Sequence, residues 1–164
     1  MPSMNHPAPW LAGYICDLPT PFDDNDEIDA AAFRQLCERQ IAAGAKALVV
    51  GETTGEDSTL SLPEHSALVR IAVQASRGRA AVIAGAGSNS TSQAIELSRR
   101  AEADGADAVL SVVPYYNKPT QAGIYAHFRT IADSTRLPII LHDVPSRTVR
   151  ELADDTLVRL AESD

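Results

Sequence analysis

The sequence predicts an α/β fold: about five βα units of a (β/α)8 TIM barrel, spanning residues 11–164 behind a flexible tail at residues 1–10. Three observations predict it. Apolar runs that read as buried strands begin near Tyr14, Lys46, Ala80, Asp107 and Pro138, at intervals of 32, 34, 27 and 31 residues. That spacing is close to the roughly 30-residue βαβ unit, and helical patterns fill the gaps. Strands two to five each end in a polar cluster: Gly51-Glu52-Thr53-Thr54-Gly55-Glu56, Gly85-Ala86-Gly87-Ser88-Asn89, Tyr115-Tyr116-Asn117-Lys118 and His142-Asp143-Val144-Pro145-Ser146-Arg147-Thr148. A flavodoxin-type open sheet, the alternative architecture, concentrates its site at one switch point, whereas a barrel draws on many strand ends. The placement favours the barrel.

Each element has a local signal. The first ten residues, with three prolines and no apolar stretch, read as a loose tail rather than a signal peptide. Phe33, Leu36, Cys37 and Ile41 form one helical face, stopped by Gly44. Ser61-x-x-Glu64 with Pro63 opens the second helix, whose face is Leu68, Ile71, Ala72 and Ala75. Ser90-x-x-Gln93 opens the third, with Ala94, Leu97, Ser98 and Ala101 on its face and Gly105 closing it. Thr120 opens the fourth, over Ile124, Phe128, Ile131 and Ala132. A shorter fifth helix is expected from about Asp154 to Ala161. The exits Ala43-Gly44-Ala45-Lys46-Ala47-Leu48-Val49-Val50 and Asp104-Gly105-Ala106-Asp107-Ala108-Val109-Leu110-Ser111 nearly repeat, 61 residues apart, which is two units.

A formal charge of −8 argues against nucleic acid or an anionic membrane as partner, since both require basic patches. No transmembrane span is apparent, and a cytoplasmic location is the default. Cys16, in a predicted strand, and Cys37, on a helix face, read as buried thiols rather than a bridge.

The clusters carry the chemistry, and each also has a plainer reading. Two adjacent phenols at a strand's carboxyl end need hydroxyl partners, in an active site or against a neighbouring subunit. Thr53 and Thr54, between glycines, serve catalysis or cap a helix. Gly85-x-Gly87 marks a tight βα turn more often than a phosphate cradle. Arg147 is a surface ion-pair partner or a bidentate clamp for a carboxylate. His142 is a core or a catalytic histidine. Without a second ligand at useful spacing it marks no metal site. Asp143, its neighbour, should point to the other side of the strand, and so is poorly placed to orient that ring.

Taken together, Thr53-Thr54-Gly55-Glu56, Pro114-Tyr115-Tyr116-Asn117-Lys118-Pro119 and Val144-Pro145-Ser146-Arg147-Thr148 resemble the dihydrodipicolinate synthase and N-acetylneuraminate lyase family of class I aldolases. The first two of these motifs, with Thr20-Pro21 after the first strand, point to the synthase branch. The resemblance runs from about Leu11 to the end. It implies a (β/α)8 barrel, assembled as a homodimer or tetramer, that condenses pyruvate with aspartate semialdehyde on the route to lysine. A lysine forms a Schiff base with pyruvate, making an enamine accessible, and no cofactor is required. By the same resemblance Thr53 is a proton-relay threonine and Thr54 holds the pyruvate carboxylate. Tyr116 is lent across the subunit interface, and Arg147 binds the aldehyde substrate's carboxylate.

Two departures stand out. The synthase pattern has Tyr-Asn where this chain has His142-Asp143, so His142 takes the place of the relay tyrosine. Histidine transfers protons at neutral pH. A related 2-oxo-acid aldolase or dehydratase is therefore an alternative. The chain also has two lysines, Lys46 at the start of strand two and Lys118 in a loop. The family's Schiff-base lysine belongs to a sixth strand, so these 164 residues alone are expected to be inactive. A non-catalytic relative that binds a carboxylate or a longer partner is the second alternative. Unpaired barrel edges are expected to make the polypeptide self-associate, swap or remain partly molten. Some members are inhibited by lysine through positions matching Asp57, His65, Asn89, Gln93 and Tyr115. Gln93 stands where a carboxylate would help hold the ammonium, so weak sensitivity is expected.

Overall fold

A computed structural model describes residues 9–163. Five parallel strands pair strictly in chain order: β1 (Ile15–Asp17), β2 (Ala47–Val50), β3 (Ala81–Gly85), β4 (Ala108–Val112) and β5 (Ile139–His142). Sequential order excludes the flavodoxin arrangement, in which the order reverses at a switch point, and it is how a barrel grows. Register runs evenly, with Leu48 opposite Cys16 and Val82, and Leu110 opposite Gly85 and Ile140.

Alternation along the strands sorts the core into two layers. Leu48, Val50, Val82, Ala84 and Val109 face the helices, packing with Phe33, Cys37, Leu68, Val69 and Ala72. Ala47, Val49, Ala81, Ile83 and Ala108 face the other way and pack on one another, with Ile15, Leu110 and Ile140 at the margin. Such strands are apolar on both faces because both are covered.

The helices are α1 (Ala30–Ala42), α2 (Leu62–Ser76), α3 (Thr91–Asp104), α4 (Gln121–Ala132), α5 (Pro145–Thr148) and α6 (Asp154–Ala161). Asp29 caps α1 by accepting from Ala31 and Ala32 N–H at 3.1 and 2.9 Å. Ser61 and Glu64 close the expected capping box on α2. At α3 only half of the expected box forms. Ser90 accepts from Gln93 N–H, but the Gln93 side chain turns instead to the Ser88 hydroxyl at 2.9 Å. The fifth helix of the sequence reading is α6, with the expected bounds. The single turn α5 was not anticipated: Pro145 starts it, and it carries Arg147 just past β5.

Two expectations need correction. Residues 1–8 lie outside the described residues, but Pro9–Leu11 form a 3-10 turn whose Trp10 packs against the inner layer. Trp10 therefore does not belong to a loose tail. Of the two thiols, Cys37 is buried while Cys16 is only half-buried, on the edge strand β1, and both are free.

Candidate active site

The carboxyl ends of all five strands open on one side, and the loops that follow them bring the polar clusters together. β2 runs out at Val50 into a turn that starts with Gly51 at φ 62° and ends with Glu56, also left-handed at φ 61°. Across this turn Thr20, following β1, donates its hydroxyl to the Gly55 carbonyl at 2.7 Å. The turn is thereby tied to the loop after β1.

Glu52 is the centre of the arrangement. Its side chain is 9% exposed, and its Oε1 lies 3.0 Å from Nδ1 of His142, 90 residues away at the end of β5. Its other oxygen accepts from the backbone N–H of Thr53. Burial pushes the Glu52 carboxyl up, but the hydrogen bonds from Thr53 and His142 outweigh it and hold the group below its ordinary value. The side chain is therefore an anion. Asp17, at the end of β1, takes the Thr54 hydroxyl in the same way.

The structure brings Thr53, Glu52 and Arg147 together around a hollow of about 500 Å3, whose other walls include Tyr115, Val144 and Thr148. His142 joins them through Glu52. The Thr53 side chain, like its backbone N–H, meets the Glu52 carboxylate. Thr54 and Tyr116 do not line this hollow. Thr54 faces Asp17 instead, and Tyr116 stands 91% exposed at φ 69° on the loop after β4. Asp143, as expected, plays no part in orienting the histidine: its Oδ1 accepts from Leu152 N–H at 3.2 Å.

Neither lysine lines the hollow. Lys46 precedes β2 at the opposite end of the sheet, where its N–H donates to the Tyr14 carbonyl. Lys118 is exposed on the loop after β4. A second cavity, of about 180 Å3, gathers Asp57, His65, Gln93 and Tyr115 on the far side of the β2 turn. Asn89 does not line it; its carbonyl accepts from the Asn117 side chain at 3.1 Å. No group of three or more His, Cys, Asp or Glu able to hold a metal occurs among the described residues. No helix there is long and apolar enough to cross a membrane.

Sequence reading missed Glu52 and Asp17 as site residues. Glu52 was visible inside the Gly-Glu-Thr-Thr-Gly-Glu cluster, but its partner is a whole sheet away. Asp17 is merely the last residue of a short strand.

Comparison with known proteins adds a consistent result. A model of the dihydrodipicolinate synthetase family matches residues 10–164. The 4-hydroxy-tetrahydrodipicolinate synthase of Hyphomonas neptunium is 56% identical over 149 residues, covering 91% of this chain and 50% of that protein. The crystal structure of a dihydrodipicolinate synthase from Bacillus anthracis superposes with a TM-score of 0.90 at 47% identity, covering 93% of this chain and 52% of that one. The pyruvate complex of the chloride-inhibited dihydrodipicolinate synthase of Acinetobacter baumannii gives a TM-score of 0.89 at 45% identity, over 92% and 52%. The chain spans about half the length of the curated relatives it matches, and its five strands correspond to part of their barrel.

Proposed function

The chain belongs to the dihydrodipicolinate synthetase family, and on that footing we propose that it supplies part of a Schiff-base lyase site, in which pyruvate condenses with aspartate semialdehyde. In this reading Thr53 relays protons, Thr54 and the turn around it hold the keto-acid carboxylate, His142 replaces the relay tyrosine, and Arg147 clamps the carboxylate of the aldehyde partner. The imine-forming amine is neither Lys46 nor Lys118, since the first lies at the opposite end of the sheet and the second is exposed on a loop that does not line the hollow. That amine comes from outside these 164 residues, and the polypeptide alone is inactive.

The observation that carries this reading is the shared hollow: a threonine, the carboxylate it meets, that carboxylate's histidine partner and an arginine gather around a space of small-molecule size. The reading includes a homo-oligomer, to which Tyr116 is accessible, being 91% exposed on the loop after β4. A cytoplasmic enzyme fits the acidic, thiol-bearing chain.

The test is pyruvate with and without borohydride. Pyruvate should perturb the amide signals of Thr53, Thr54 and Arg147, and mass spectrometry should find no reduced adduct. A stable adduct on Lys118, or turnover by this polypeptide free of any longer relative, would overturn the assignment.

A further inference from the structure

We propose that Glu52 is the positioning residue of this site: it accepts the Nδ1 proton of His142 and so leaves the ring's Nε2 lone pair facing the mouth as the proton acceptor of the relay. The inference rests on the Schiff-base reading for its chemistry, but not for its geometry.

Its first support is a matter of donors and acceptors. An ionised carboxylate can only accept, so at 3.0 Å from Glu52 Oε1 the Nδ1 atom must carry the hydrogen. In a neutral ring Nε2 is then bare. Nε2 has no hydrogen-bond partner among the described residues, and the His142 side chain is 31% exposed, enough to reach a bound molecule. The ring is thus fixed at one nitrogen and open at the other.

The second support is that both Glu52 oxygens are committed, one to His142 and one to the Thr53 N–H. A single buried carboxylate therefore aligns the two residues proposed to move protons, from two different strand ends. A surface ion pair would not need that arrangement. In the step itself, an O–H proton of the substrate or of the relay passes to Nε2, and the bonding pair stays on oxygen. The imidazolium that forms is stabilised by Glu52, and the return step restores both groups.

Nitrogen-15 spectra of the chain at about pH 8, above the ordinary imidazole range, test this directly. In the native protein His142 should show a protonated Nδ1 and a bare Nε2. Glu52→Ala should reverse that, making Nε2–H the major form, and carbethoxylation of His142 by diethyl pyrocarbonate should slow several-fold. Glu52→Gln, whose amide oxygen still accepts, should largely rescue the native tautomer. Asp143→Asn should leave it unchanged, because Asp143 binds Leu152 instead. An Nε2–H ring in the native protein, which needs no variant to observe, overturns the proposal. So does a tautomer ratio that Glu52→Ala leaves unaltered. Neither readout involves a keto acid, so either failure is distinguishable from a failure of pyruvate to bind.

Discussion

The Thr54 hydroxyl donates to the carboxylate of Asp17, so the residue proposed to hold a substrate carboxylate is already holding an internal one. The two compete for one donor, and an incoming keto acid also meets the repulsion of Asp17. Asp17→Ala should therefore tighten pyruvate binding by about 3- to 10-fold, the equivalent of about 1 kcal/mol from one freed hydrogen bond. Thr54→Val should weaken it in both backgrounds. Titration calorimetry on the four proteins reads the effect, and equal affinities for the native chain and Asp17→Ala would refute it.

The site rests on a close backbone approach between two strand ends. A Cβ on Gly85 would lie 1.9 Å from the Gly51 carbonyl oxygen, and that oxygen belongs to backbone which cannot rotate aside. Gly85→Ala should cost about 3 kcal/mol or more, at the upper end of overpacking. Gly44→Ala, at φ 99° with open space around it, should cost only about 1 kcal/mol of backbone strain. Denaturant melts of the two variants compare them. Equal costs would mean that the β2–β3 junction is looser than described.

Much of the fold was legible because it is written locally. The strands of this chain are apolar on both faces, and Ser61, Glu64, Gly105 and Thr120 mark helix ends by chemistry that acts within one turn. What escaped is what depends on closure. Glu52 and His142 are brought together by three intervening strand pairings, and no spacing rule spans 90 residues. The same limit hid the packing of Trp10, whereas the α5 turn, four residues long, is too short to carry a periodic pattern. Of the proposed site residues, Thr53 and Arg147 line one hollow and His142 joins them through Glu52, whereas Thr54 faces Asp17 and Tyr116 stands exposed.

Buried histidines should make stability depend on pH. Burial lowers the proton affinity of His65, opposed by the backbone of Gly85 and Gly51, and it does the same to His127. His127 also leaves Nε2 buried without a partner, while Nδ1 meets the Thr91 hydroxyl at 2.9 Å. Both rings are thus folded in the neutral form. The unfolded chain binds more protons as pH falls through 6.5, the ordinary value, so stability is full above that point and declines below it. Urea midpoints between about pH 5 and 8 should fall on the acid side, and His127→Gln should flatten the slope. A midpoint independent of pH across that window would contradict the assignment.

The two thiols should differ sharply in reactivity. Burial pushes Cys37 up to about 12, leaving roughly one thiolate in ten thousand at about pH 8. Cys16 is half-buried on the edge strand. A disulfide reagent should label Cys16 first and reach Cys37 at least about 100 times more slowly, until denaturant exposes it. Peptide mapping after brief labelling checks the order, and comparable labelling of both would refute it.

The sheet's two outer strands are where this polypeptide should misbehave. β2 and β3 are buried along their whole length, whereas every residue of β5 is only half-buried, and β1 is no better covered. Among the described residues each outer strand pairs on one side only, which leaves a row of backbone donors and acceptors open to another chain. Beside β5, Leu137, Ile139, Leu141, Leu157 and Leu160 line an apolar groove, so pairing there would also cover hydrophobic surface. The chain should therefore self-associate with increasing concentration, as read by sedimentation velocity. Ile140→Lys, which puts a charge on the edge strand, should weaken that association by about tenfold, the usual effect of a gatekeeping lysine being to oppose edge pairing. A monomer at every concentration, with a sharp two-state melt, would mean that the edges are protected in a way these contacts do not explain.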